Sequence, residues 1–202
     1  MGTEPPFAEA ERVLKGMGLP GTFLVDLHRE GDDWSFVVKI HALLEGLSTN
    51  LLTTGLNEER LREVFSHLEL SDTRSGKVAF MKALGLLEDE SRAYISALSE
   101  LRNLLIHRIE NVSFRFGSAA NHKISKAVER LLRSTEFQWK PELEFEGITV
   151  PRDKFVRENP RLSVWFAAVR LIEAVSPLIP SKDDPNAQLV SALLKAKRRT
   201  SN

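Results

Sequence analysis

Apolar residues recur at three- and four-residue steps along most of this 202-residue chain, a spacing that fits helices better than strands. One such stripe follows Asp32 and Asp33, whose side chains are suited to cap a helix, and Gly55 is suited to end that helix. Another helix is predicted from the segment EDES through an apolar stripe formed by Tyr94, Leu98, Leu101, Leu105, Ile109 and Val112. The sequence therefore predicts an all-α protein.

The remaining segments divide the predicted fold into a body and an extension. Shorter helices are expected from Asn57, over KVAFMKALGLL and over NHKISKAVERLLRS, and an apolar helix is expected between Pro160 and Pro177. The segment TEFQWKPELEFEGITVPRDKF predicts an irregular excursion or a small hairpin, and the last residues predict a short helix with a basic tail. We expect a helical bundle over residues 22–134. Over residues 135–202 we expect an irregular segment plus C-terminal helices that pack on the bundle.

Composition narrows the class of protein. No apolar run approaches the roughly 20 residues that cross a bilayer, so no membrane partner is expected. The first residues lack a basic start followed by an apolar core, which predicts a cytoplasmic location. The chain has no Cys, no Gly-rich phosphate loop, no His-Glu-x-x-His pair and no Gly-x-Ser-x-Gly turn. We expect neither a cofactor nor a bound metal.

Basic residues concentrate in one segment although the whole chain is balanced, with 28 Lys and Arg against 28 Asp and Glu. Residues 92–133 contain eight basic and three acidic residues, a local net charge of +5. A positive segment of this kind favours a polyanionic partner. A solvated helix face explains the same pattern equally well when it is considered alone.

The motif ELRNLLIHRIEN lies at the centre of this positive segment. On a helix, Asn103 and His107 lie one above the other, whereas Arg102 and His107 are about 140° apart. A long Arg side chain reaching around the helix, or a second copy of the helix, would bring the two groups to one phosphate. Arg provides a planar fork for phosphate oxygens, and His exchanges protons near neutral pH. Together they would support attack of a ribose 2′-hydroxyl on the adjacent phosphodiester; a capped or salt-bridged helix is the alternative.

The other four His residues, His28, His41, His67 and His122, stand alone in the sequence and are interpreted as surface or half-buried residues. Glu45 lies within the apolar stretch ALLEGLSTNLL, where a carboxylate is unexpected. We give it a minor functional weight, because a single Glu at the edge of a helix stripe is usually solvated.

The segment RNLLIH, with the helices before it, resembles the HEPN domains. Their motif is Arg, four to six residues and then His, commonly with Asn after the Arg, on the last long helix of a compact bundle. The resemblance covers about residues 22–134, and VAFMKALGLLEDESRAYISALSELRNLLIH is similar to a branch that includes the mannitol operon repressor proteins. It implies a metal-independent endoribonuclease of toxin or defence type that acts as a homodimer. Arg102 would bind and polarise phosphate, His107 would serve as acid or base, and Asn103 would position the pair.

The resemblance also sets the expected partners and the rival function. RNA and a second copy of the chain are the expected partners, with an antitoxin or a regulatory protein as a third. Toxin members that pair with a nucleotidyltransferase antitoxin carry Tyr two residues after the His, where this chain has Ile109. The alternative is a non-catalytic regulatory or protein-interaction module of the mannitol-repressor type. A plain helical scaffold that recruits a partner is a further alternative.

Overall fold

The computed structural model describes residues 7–118, 121–145 and 147–179, and within these ranges the protein is all-α, as predicted. The α-helices are α1 Ala8–Gly16, α2 Phe23–His28, α3 Asp33–Leu56, α4 Arg62–His67, α5 Lys77–Ala83, α6 Asp89–Ile106, α7 His122–Arg133, α8 Arg152–Glu158 and α9 Pro160–Val175. The short helix and basic tail predicted at the end of the chain lie outside the described residues.

A two-stranded antiparallel sheet interrupts the helices. Strand β1 is Glu142–Phe145 and strand β2 is Ile148–Pro151, with Phe145 paired to Ile148 beside the turn. Gly147 adopts φ 80° in that turn, a conformation that glycine reaches without a steric penalty. The small hairpin interpretation of this segment is confirmed.

Local chemistry explains where α3 begins and ends. The Asp32 side chain accepts a hydrogen bond of 2.7 Å from the Ser35 backbone N–H, so it caps the helix that starts at Asp33. This bond lowers the pKa of the Asp32 carboxyl below its usual value. Asn57 follows the last helical residue in the left-handed conformation, with φ 51°. Asn57 was predicted to begin the next helix; instead it ends α3, and a 3₁₀ turn, Glu59–Leu61, precedes α4.

The described residues form two compact units. The first contains residues 7–24, 43–88 and 171–179, and the second contains residues 25–42 and 89–170. These units are not the predicted domains. The division into a bundle over residues 22–134 and an extension over residues 135–202 stays a prediction.

In the first unit, two polar contacts connect segments that are distant in sequence. The Arg12 guanidinium of α1 donates to the backbone carbonyls of Ser176, at 3.2 Å, and Ile179, at 3.4 Å. The Lys77 ammonium, whose side chain is only 1% exposed, donates to the Glu45 carboxylate of α3 at 3.1 Å. The Glu45 side chain is 37% exposed, so the pair contains one fully buried charge and one partly hydrated charge.

In the second unit, α6 packs against α7, and hydrogen bonds connect α9 to other segments. The buried Tyr94 hydroxyl of α6 donates to the Val164 carbonyl of α9 at 2.8 Å. Arg161, also on α9, forms an ion pair with Asp33, whose second carboxylate oxygen accepts from the Phe116 backbone N–H at 3.0 Å. These contacts satisfy polar groups that would otherwise be costly to remove from water.

The helix that carries the motif is shorter than its apolar stripe predicts. The stripe was expected to continue through Ile109 and Val112, but α6 ends at Ile106 and a 3₁₀ helix, Ile109–Ser113, follows. Ile109 is 81% exposed and Val112 is 51% exposed, so neither residue belongs to the buried face. The Asn111 side-chain amide donates to the Leu104 carbonyl at 2.8 Å and thereby satisfies a helix-end carbonyl that a longer helix would have used.

Candidate functional site

The last turns of α6 carry the first two motif residues. Arg102 is half-buried, and its Nη1 donates a hydrogen bond of 3.0 Å to the Asn103 side-chain oxygen. The Arg102 Nε is buried and has no hydrogen-bond partner among the described residues. Asn103 was expected to position both Arg102 and His107; its described side-chain hydrogen bond is with Arg102.

The third motif residue, His107, lies directly after the end of α6 and is exposed. The chain leaves the helix there, and Asn111 of the 3₁₀ helix that follows donates a side-chain hydrogen bond to the Leu104 carbonyl. The imidazole lines an open cleft of about 410 Å³, which we call the His107 cleft. Its lining residues are Leu104, His107, Arg108, Asn111, Asn121, His122, Lys123 and Ile124.

The opposite part of this lining comes from the start of α7. The Asn121 side chain accepts a hydrogen bond of 3.1 Å from the Ile124 backbone N–H, and this cap fixes the first turn of the helix. Buried Ile124 and Ala127 direct one face of α7 inward, while His122 and Lys123 are exposed. The cap and the amphipathic pattern of α7 therefore place a second imidazole and a cation at the cleft.

The charges of the His107 cleft are of one sign. Arg108 and Lys123 contribute two cations, and no Asp or Glu is among the described residues that line it. Two larger or comparable pockets differ in this respect. A pocket of about 950 Å³ combines Arg12 and Arg62 with two glutamates, and one of about 370 Å³ combines Arg133 and Arg157 with two glutamates. The His107 cleft thus favours an anionic ligand more strongly than either pocket.

The two imidazoles and the two cations of the cleft are available to a ligand, whereas Asn111 and Asn121 are hydrogen-bonded to the backbone. Within the part of the chain that the structure describes, His107, Arg108, His122 and Lys123 form no hydrogen bond or ion pair through their side chains. Other cations of the positive segment are occupied: Arg130 pairs with Glu100, and Arg133 pairs with Glu129. Two cations without a described partner, Arg108 of the turn after α6 and Lys123 of α7, therefore line this cleft.

The structure brings together a different set of residues from the one predicted. Of the predicted site residues, His107 lines the cleft, whereas Arg102 and Asn103 do not belong to the described lining. The cleft adds Arg108, His122 and Lys123. The excess of basic residues over residues 92–133 signals the two cations, but no sequence signal singles out His122, which was interpreted as an isolated residue.

The described residues offer neither a metal site nor a membrane span. Among the described residues, no group of three or more His, Asp or Glu side chains is placed to hold a metal ion. No described helix has the length and apolar character needed to cross a bilayer.

Comparisons of the chain with protein-family models, with curated proteins and with solved structures find no match.

Proposed function

We propose that this protein binds RNA and cleaves it without a metal ion, with a substrate phosphate held in the His107 cleft. One observation carries the proposal: an exposed imidazole and two unpaired cations line the same cleft, which contains no carboxylate in its described lining. The resemblance of RNLLIH to the HEPN motif supports the same chemistry for His107. An endoribonuclease of toxin or defence type is the function that unites these features.

The cleft chemistry suits a phosphodiester. Arg108 offers a planar fork of N–H donors and Lys123 a compact ammonium, and both attract the charged phosphate oxygens. Cations that contact phosphates release counterions, so binding to RNA weakens steeply as salt rises. Cleavage by a ribose 2′-hydroxyl requires a group that transfers protons, and an imidazole is suited to that role, which we assign to His107.

The resemblance gives Arg102 and Asn103 a role in the proposed site, and the role of Arg102 has one condition. Their described hydrogen bond joins them to each other, so Arg102 contacts RNA only if it exchanges this bond for one to phosphate. The buried, unpartnered Nε of Arg102 favours such an exchange, because an unsatisfied buried donor is costly. In this proposal Asn103 holds the guanidinium until RNA binds.

Cleavage that survives metal chelation is the first expected result. Purified protein incubated with mixed RNA at low salt is expected to produce fragments at the same rate with and without a chelator, because the proposed proton transfers need no metal. Fragments are measured by gel electrophoresis, with single-stranded DNA of matched length as the control that lacks a 2′-hydroxyl. Loss of cleavage in chelator, restored by a divalent ion, contradicts the metal-independent mechanism. RNA binding without cleavage favours the non-catalytic regulatory module.

A homodimer through the face carrying Asn103 and His107 is part of the proposal, as the resemblance implies. The expected mass by light scattering is about twice that of the 22.8 kDa chain. A mass near that of one chain across micromolar concentrations contradicts the dimer. An antitoxin or a regulatory protein is the further partner that a toxin of this type implies.

A further inference from the structure

A second imidazole lines the His107 cleft, and the function proposed above gives it no role. His122 begins α7, is exposed and forms no hydrogen bond or ion pair through its side chain within the described chain. The Asn121 cap, not His122, satisfies the described backbone group at this helix start. His122 is therefore available for chemistry without a cost to the fold.

We propose that His122 is the second proton-transfer residue of the cleft, so that one chain carries both imidazoles of the RNA-cleaving site. The inference rests on the proposed function, and it needs no second copy of the motif to complete the site. His107 from the turn after α6 and His122 from the start of α7 line one cleft, with Arg108 and Lys123 in the same lining.

Two imidazoles suffice for the whole reaction. One of them, in its neutral form, removes the proton of the ribose 2′-hydroxyl while the 2′ oxygen bonds to the adjacent phosphorus. The bond between phosphorus and the 5′ oxygen breaks, and the other imidazole, in its protonated form, gives its proton to that oxygen. The products are a 2′,3′-cyclic phosphate and a 5′-hydroxyl, and no other reactant is consumed.

The charges around the two imidazoles suit a reaction in which one imidazole acts as base and the other as acid. Arg108 and Lys123 are the charged groups of the described lining, and they offset the negative charge that develops on the non-bridging phosphate oxygens. The parent protein is expected to show a bell-shaped dependence of cleavage rate on pH, because one imidazole must be neutral while the other is protonated. Removal of either imidazole eliminates one limb of that profile.

The test compares His122→Ala with His107→Ala and with His67→Ala, which removes an exposed imidazole at the end of α4 as the matched control. His122→Ala and His107→Ala are each expected to slow cleavage by about 10²- to 10⁴-fold and to keep one limb of the pH profile. An RNA with sulfur in place of the 5′ oxygen has a leaving group that needs no acid. It is expected to restore cleavage by one of these two variants and not by the other.

Mixing the two slow variants tests whether one chain carries the site. If the imidazoles came from two copies of a symmetric dimer, an equal mixture after subunit exchange would regain about a quarter of the parent rate. We expect no gain, and a gain overturns the single-chain site. Suppose that the parent cleaves RNA, that His107→Ala is slow and that His122→Ala is as fast as the parent. This result overturns the role of His122 and leaves the role of His107 in place. A parent that does not cleave RNA overturns the proposed function and this inference together.

Discussion

Replacement of His107 by alanine is expected to slow RNA cleavage by about 10²- to 10⁴-fold, the usual contribution of a general acid or base. RNA affinity is expected to persist, because Arg108 and Lys123 still supply the cations that contact phosphate. The melting temperature is expected to stay within the range of other surface substitutions, because the side chain is exposed and forms no hydrogen bond in the described chain. Cleavage, affinity and melting are measured on the same preparations.

His67→Ala is the control for this substitution, since it also removes an exposed imidazole. It is expected to change none of the three measurements. A His107→Ala protein that is folded, binds RNA and cuts it as fast as the parent ends the catalytic role of the motif. Loss of RNA binding together with cleavage indicates instead that His107 acts chiefly as a phosphate contact.

The largest expected effect on stability comes from Glu45→Ala, which removes the carboxylate that pairs with Lys77. The Lys77 side chain is 1% exposed, so the substitution leaves an ammonium buried without its described counter-charge. Breaking a buried pair in this way costs about 3 to 5 kcal/mol, and we expect the lower end because Glu45 is partly hydrated. The free energy of unfolding from urea titration measures the effect.

Lys77→Met separates the buried charge from the packing of the side chain. It removes the ammonium but keeps a similar volume, so it is expected to cost less than Glu45→Ala. Glu129→Ala breaks the exposed pair with Arg133 and is expected to cost under about 1 kcal/mol. Equal losses for Glu45→Ala and Glu129→Ala would show that the buried position of Lys77 has no energetic consequence.

Helix boundaries were predictable where local chemistry sets them. Asp32 caps α3, which begins at Asp33, and α9 begins at Pro160, as predicted; α9 ends at Val175, and Pro177 lies in the 3₁₀ turn Ser176–Leu178 that follows. The end of α6 was not predictable from periodicity, because Ile109 and Val112 fit the apolar spacing although both are exposed. The Asn111 side chain, and not the backbone of a longer helix, bonds to the Leu104 carbonyl. Neither α1 nor α2 was predicted, although α1 buries Ala10, Val13 and Leu14 on one face.

The candidate site was partly predictable for a related reason. His107 stands in a recognisable motif, and the excess of basic residues marks Arg108 and Lys123 as members of a positive segment. His122 and His107 come together only because the chain turns after α6 and α7 packs against that helix. The Glu45–Lys77 pair likewise joins residues of α3 and α5. Contacts of this kind depend on tertiary packing, which the spacing of residues within one segment does not encode.

The chain contains a single tyrosine, Tyr94 of the second unit, so the ionisation of this one phenol can be followed by absorbance. Burial raises the pKa of this phenol well above its usual value, and the hydroxyl is bonded to the Val164 carbonyl. The unfolded chain loses this proton near pH 10 and the folded chain keeps it to higher pH. The stability that the neutral phenol contributes is therefore complete below that pH and declines above it. Phenolate absorbance in alkaline solution thus becomes a direct optical gauge of whether α6 and α9 remain together.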